Sequence, residues 1–295
     1  MNILKTTLRI FLGLVLIVAI LGTVVYVVGG SKFNETYAFP DHVPAVSADS
    51  ATLAKGATLV KSHACSHCHG QDLAGTVYVD GMPFARVTAS NLTPGRGGIG
   101  SRYTDADWER AIRHGVNAEG RGLMIMPADL FTNLADDELG AMIAYLKTLP
   151  PVDNELPETE LGPVGRMVAM LNPLTMPQLM GEAPPHPAAA PAYGPTAEFG
   201  AYRASTLCGA CHGSDLSGGP HPDPEGPYSP SLHHVASWTL EQFASALRTG
   251  TRPDGRVLDD KYMPWTSLKN LPDTEIEALY RHIRTLASEQ ADPET

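Results

Sequence analysis

Two pentapeptides carry the chemistry of this chain: Cys65-Ser66-His67-Cys68-His69 and Cys208-Gly209-Ala210-Cys211-His212. Both read Cys-x-x-Cys-His, the pattern that attaches a c-type haem covalently. Two thiols three positions apart can each form a thioether to one vinyl group of a single porphyrin. The histidine after the second thiol then reaches the iron from one face. The chain has 4 cysteines, so the two motifs use them all and none is left for a disulfide. A structural zinc site would need the two pairs to converge, and it gives no reason for a histidine after each. A redox dithiol would sit in a βαβ context, and none is visible. The expected cofactors are therefore two covalently bound haem c groups on Cys65, Cys68, Cys208 and Cys211, with His69 and His212 as proximal iron ligands.

The elements that must position these motifs are themselves repeated. Gly70-Gln71-Asp72-Leu73-Ala74-Gly75 follows the first motif and Gly213-Ser214-Asp215-Leu216-Ser217-Gly218 the second. After a variable loop, Thr104 with Asp107 and Thr239 with Gln242 have the pattern of helix-opening capping boxes. Trp108, Ala111 and Ile112 match Phe243, Ala246 and Leu247 at helical spacing, and Gly115 and Gly250 mark the helix ends. Met126-Pro127 and Met263-Pro264 come next, then Leu134 and Leu271. A last amphipathic helix presents Leu139, Met142, Ile143 and Leu146 in the first copy, and Ile276, Leu279, Tyr280 and Ile283 in the second. Short helical stretches precede each motif, near Leu53 to Ser62 and Ala197 to Ser205. Trp108, Trp238, Trp265 and Tyr280 read as haem-packing core rather than as electron conduits.

On Cys65, Cys68, His69, Met126 and Cys208, Cys211, His212, Met263 the chain resembles class I c-type cytochromes, over about residues 50–150 and 195–288. The resemblance implies an all-α fold: two tandem cytochrome c domains, each a small helical wrap around one covalent haem with crossed terminal helices. It also implies Met126 and Met263 as distal ligands. A thioether is soft and favours ferrous iron, so Met/His ligation raises the potential and closes both axial positions. Proline after each methionine stiffens the loop that presents the sulfur. Met124, Met82 and His114 are competitors in the first copy; His63 and His67 lie too close to the thioether bonds. Asn91-Leu92-Thr93-Pro94, Gly98-Ile99-Gly100 and Thr104 to Trp108 are similar to the cytochrome subunits of membrane-bound alcohol and aldehyde dehydrogenases. The second copy has Ser229-Pro230-Ser231-Leu232 in place of the first of these.

Between Arg9 and Lys32 there is no charged residue, and Ile10 to Val28 is almost wholly apolar. As a helix this run is about 30 Å long, the thickness of a bilayer core. Lys5 and Arg9 before it favour a cytoplasmic N-terminus, with the haem domains on the periplasmic side of the inner membrane. A cleaved signal peptide competes, but the run exceeds a typical h-region and no clear Ala-x-Ala site follows. The net charge of −11 argues against nucleic acid as a partner and suits a basic redox partner.

The expected organisation is an anchor at 1–32, a juxtamembrane linker at 33–49, domains at 50–150 and 196–288, a Pro/Met-rich linker at 151–195 and a tail at 289–295. Leu161 to Met180 of that linker is apolar, suited to a strap on a haem domain or to a docking surface. The function expected is electron transfer, without catalysis of its own. The donor would be a respiratory or photosynthetic dehydrogenase or quinol-oxidising complex, the acceptor periplasmic or membrane-bound, and the chain either free or a subunit of a larger complex. A di-haem peroxidase or a haem-based sensor would need one open iron, which a Met-Pro pair in both copies argues against.

Overall fold

The computed structural model describes residues 2–171, 187–221 and 226–291. It opens with α1 (Asn2–Phe33), whose apolar window is exposed along its whole length. The first domain follows as α2 (Ser50–Ser62), α3 (Cys65–His69), a hairpin of β1 (Thr76–Gly81) and β2 (Ala85–Ala89), α4 (Asp105–His114), α5 (Ala128–Phe131) and α6 (Asp136–Leu146). A short β3 (Glu160–Leu161) and α7 (Pro163–Leu171) come after it. The second domain is α8 (Ala197–Leu207), α9 (Gly209–His212), a 3-10 turn at His233–Ser237, α10 (Leu240–Thr249), α11 (Trp265–Leu268) and α12 (Asp273–Ala291). The fold is mostly helical, with two cytochrome-like helical units and an N-terminal helix long and apolar enough to cross a membrane.

Local chemistry sets the helix boundaries. The Asp49 carboxylate accepts from the backbone N–H groups of Ala51 and Thr52, satisfying donors that α2 leaves free. Both expected capping boxes form: Thr104 with Asp107 opens α4, and Thr239 with Gln242 opens α10. Gly115 and Gly250 end these helices at φ +62° and +68°, where a side chain would strain the backbone.

In each unit the first and last helices cross at a glycine that the sequence reading did not single out. A Cβ on Gly56 would collide with the Ala141 carbonyl of α6, and one on Gly200 with the Ala278 carbonyl of α12. Beside these crossings lie two separate cores. Leu59, Trp108, Ile112, Leu134, Leu139 and Met142 belong to the first, and Leu216, Phe243, Leu247, Leu271, Ile276 and Leu279 to the second.

The all-helical expectation is modified by a small antiparallel sheet in the order β1-β2-β3, with Thr76 opposite Ala89 and Ala85 opposite Leu161. The chain around this domain is also more ordered than its proline content suggests. Residues 36–45 run over it: Tyr37 N–H donates to Gly120 O, Phe39 stacks on His114, and Asp41 pairs with Arg110. Residues 150–161 lie against the Asn91–Pro94 loop, where Asn91 Nδ2 donates to Val152 O at 2.8 Å and Thr93 Oγ1 to the same oxygen at 3.1 Å. Of the apolar stretch Leu161 to Met180, the part up to Leu171 forms β3 and α7, packed on β2 and on α1. Leu174, Met176, Leu179 and Met180, like Pro184-Pro185, lie outside the described residues.

Candidate functional site

Both Cys-x-x-Cys-His motifs fold as short helical turns; Ala64 enters the first at φ +57°, the second continues from α8, and the backbone after the histidine is shared. Gly70 and Gly213 leave the turn at φ +79° and +80°, and Leu73 and Leu216 are held at +58° and +59°. Gly75 N–H donates to His69 O at 2.7 Å, and Gly218 N–H to His212 O at 2.8 Å. The carboxylates of Asp72 and Asp215 each accept the N–H two residues on, both at 3.1 Å. This accounts for the repeated Gly-polar-Asp-Leu-small-Gly: the aspartate makes the turn and the second glycine closes it on the histidine's own carbonyl.

The next loop fixes the histidine ring. Leu92 N–H donates to Leu73 O, and Leu232 N–H to Leu216 O, both at 2.8 Å. Structurally, then, Leu232 stands where Leu92 does, and Pro230 where Ser90 does. His69 Nδ1 is 2.7 Å from the Ser90 carbonyl oxygen, and His212 Nδ1 is 2.8 Å from that of Pro230. A carbonyl only accepts, so each Nδ1 carries the proton and each Nε2 keeps its lone pair for a metal. Burial, opposed by that carbonyl bond, lowers the pKa of both rings, which keeps them neutral.

The expected methionines sit in equivalent loops. Ala128 N–H donates back to Met126 O at 2.8 Å and Trp265 N–H to Met263 O at 2.7 Å, across Pro127 and Pro264, and each loop runs into a short helix. Met126 packs against the first core and Met263 against the second. Met124 lines the cleft too, but packs with a different cluster, Ala85, Val87, Leu161 and Ala169. His114 stacks on Phe39 at 4.3 Å, faces Glu109 and is not among the residues lining the cleft. Met82 is at the hairpin turn, also outside it. His63 lines the cleft, with Nδ1 2.9 Å from Leu59 O. Burial, and then the Arg203 charge, push it down to about 4, so it too is neutral.

One continuous cavity of about 990 Å³ joins the two sites, lined by both motifs and both methionines. Its walls include Leu92, Ile112, Phe131 and Leu146 on one side and Leu232, Phe243, Leu247 and Leu279 on the other. The cysteines facing it lack the environment of a redox dithiol. Burial, with the neighbouring thiol second, pushes Cys65 and Cys208 up to about 12, opposite to the lowered values such motifs need. No cluster of three or more His, Cys, Asp or Glu side chains among the described residues offers a zinc site. A haem fits these walls. The rings are in the ligating tautomer, and the surroundings are apolar. In addition, Trp108 lines this cavity, and its Nε1 is a buried donor with no protein acceptor among the described residues.

The sequence matches the cytochrome c family over residues 53–150 and 199–287, the two units described above. The chain belongs to the cytochrome c family. Cytochrome c domains imply covalently attached haem c, and the two motifs fall one in each matched segment. Among curated relatives, the fructose dehydrogenase cytochrome subunit of Gluconobacter japonicus is 34% identical over 130 residues, covering 41% of this chain and 26% of that protein. The cytochrome c subunit of the alcohol dehydrogenase (quinone) of Gluconacetobacter polyoxogenes is 26% identical over 277 residues, covering 81% of this chain and 57% of that protein. A nicotinate dehydrogenase subunit of Pseudomonas putida is 28% identical over 262 residues, covering 81% of this chain and 22% of that protein. This cytochrome therefore spans between about a fifth and just over half the length of these relatives.

The cytochrome's two units are locked by a buried ion cluster that the sequence did not reveal. Arg203 of α8 gives Nη1 and Nη2 to the two carboxylate oxygens of Glu138 in α6, at 2.9 and 2.8 Å. Its Nε lies 2.7 Å from Glu275 of α12, and the Tyr202 hydroxyl donates to Glu138 at 2.9 Å. Arg203, Glu138 and Glu275 are all buried. Burial alone would raise the Glu138 carboxyl, but the hydrogen bonds and charge of Arg203 hold it below the usual range. A charged residue within an amphipathic helix pattern reads as solvated; only the contact between units shows that these are covered.

Proposed function

We propose that this chain is a membrane-anchored, di-haem electron carrier working as the cytochrome subunit of a dehydrogenase complex. The observation that carries the reading is the duplicated site within one cavity. In each half the histidine has its Nε2 free for iron, and a Met-Pro loop lines the same cleft. When bound, each haem supplies a one-electron ferric/ferrous couple. Cys65, Cys68, Cys208 and Cys211 would hold the two haems, with His69 and His212 as proximal ligands and Met126 and Met263 as distal ones.

The residues contribute position and environment. Ser90 and Pro230 orient the histidines, and the apolar walls exclude water. Filled axial positions suit transfer without ligand exchange. The Arg203 cluster keeps the two sites facing one cavity, so that an electron entering one half has a short route to the other. The relatives' names support a donor among dehydrogenases of sugars, alcohols or related substrates. Lys5 and Arg9, before the apolar run of α1, support a periplasmic placement for both domains.

Stopped-flow mixing of the full-length, detergent-solubilised holoprotein tests this. Dithionite-reduced protein should be reoxidised rapidly and completely by a one-electron acceptor such as ferricyanide, and should turn over hydrogen peroxide only at background rates. Rapid peroxide turnover would favour an enzyme with an open iron instead.

A further inference from the structure

Beside the first domain lies an apolar surface that the shared cavity does not use. On α7, Val164, Met167 and Leu171 are exposed, Leu171 to 71%, and they recur at helical spacing on one face. The opposite face, Gly165 and Ala169, is buried against Phe84 and Leu161. Beside the start of α7 the β1–β2 turn adds Met82 and Phe84, both more than 40% exposed. A Cβ on Gly162 would meet Pro83 and Met82, and Val164 N–H donates to Pro83 O, so turn and helix form one patch.

The position of this patch is set by α1. A Cβ on Gly29 would strike the Arg166 backbone, so α1 and α7 touch main chain to main chain there. Arg166 Nη1 donates to Tyr26 O at 3.2 Å, and its guanidinium lies 4.3 Å above the Tyr26 ring. Ile10 to Val28 alone fills a core of about 30 Å. Tyr26, Gly29 and Gly30 therefore lie at its outer edge, the depth where tyrosine and arginine gather. A short helix docked there, with one apolar face turned away from the protein, has the geometry of an interfacial helix.

We propose that α7 and the β1–β2 turn rest in the headgroup layer of the bilayer, a second membrane contact that fixes the orientation of the first haem domain. The occupant assigned to this face is lipid because the patch continues directly from the end of α1 at interfacial depth. The proposal rests on the anchored reading.

With all native cysteines in thioether bonds, a single introduced cysteine can be labelled. Met82→Cys, Met167→Cys and Leu171→Cys, each carrying an environment-sensitive fluorophore, would be studied as full-length holoprotein in phosphatidylcholine nanodiscs, with Val15→Cys and Val257→Cys as references. Shallow doxyl-labelled lipid should reduce emission about two-fold at 82, 167 and 171, as expected for groups at the acyl boundary, and leave 257 unchanged. Quenching at 15 by deep doxyl lipid, with 82, 167 and 171 behaving like 257, would overturn the inference and leave the anchor standing. Labels silent to lipid but shielded from aqueous iodide would put protein on this face and overturn it equally. A mature chain whose intact mass lacks α1 would remove the anchored reading and the inference together.

Discussion

The two haem domains share what holds a haem and differ in what surrounds it. The motif turn, the left-handed leucine, the carbonyl on Nδ1, the glycine at the helix crossing and the Met-Pro loop recur residue for residue. The first domain adds a hairpin, a strap at 150–161, a wrapped segment at 36–45 and, through α7, a tie to α1. It also has Trp108, with its unpartnered N–H, where the second domain has Phe243. The lesson is that the repeated residues answer to the cofactor, while the unrepeated ones answer to the segments that flank the first domain. The Arg203 cluster, like the shared cavity, belongs to both domains.

That cluster is where breaking the comparison should cost most. Arg203→Ala leaves Glu138 and Glu275 buried without their cation, and should destabilise the chain by about 3–5 kcal/mol. Urea unfolding followed at the Soret band would show it, with one transition splitting into two as the domains separate. An unchanged single transition would mean that the cluster does not couple them. Next in size are the crossings. Gly56→Val and Gly200→Val each push a side chain into a facing helix backbone and should each cost about 1–3 kcal/mol, the two domains suffering alike. A large effect in one and none in the other would show that the repeat is not structurally equivalent.

The smallest effect is on pH dependence. Glu138 is held below the usual range, so its contribution is complete above its unfolded value of about 4.3 and is lost as pH falls through the lower folded value. Glu275 is displaced the other way, raised by burial ahead of the attraction of Arg203, so it takes up its proton first on acidification and leaves Arg203 to Glu138. The unfolding midpoint should therefore begin to fall below about pH 6.5, as the unfolded chain binds the proton that buried His63 excludes down to about 4, and fall further below about pH 4, where Glu138→Gln should remove part of the second fall only. A Glu138→Gln protein whose midpoint falls as far below pH 4 as the wild type's would contradict this assignment.

Much of this could be read from the chain itself. Covalent chemistry fixes cysteine and histidine spacing, and helix capping and periodicity are local, so the motifs, capping boxes and Met-Pro loops stood out. The hairpin had a signal of its own: Val77, Tyr78 and Val79 lead into Asp80-Gly81, a strand run ending in a turn pair. It was obscured because β2 is paired on its other edge by Leu161, far along the chain. Gly56 and Gly200 sit inside helices, where nothing local separates a packing glycine from a weak helix position. Arg203 with Glu138, and Arg166 with Tyr26, are contacts across 65 and 140 positions that no local pattern encodes.

The central claim is that both halves close their iron with a methionine. The visible spectrum of the dithionite-reduced holoprotein, recorded with and without carbon monoxide, tests it most directly. The account predicts no change on adding the gas in the wild type, and a shift in half the haem in either Met126→Ala or Met263→Ala. A wild-type spectrum in which half the haem already binds carbon monoxide would contradict it, and would move one of the two sites from electron transfer to ligand chemistry.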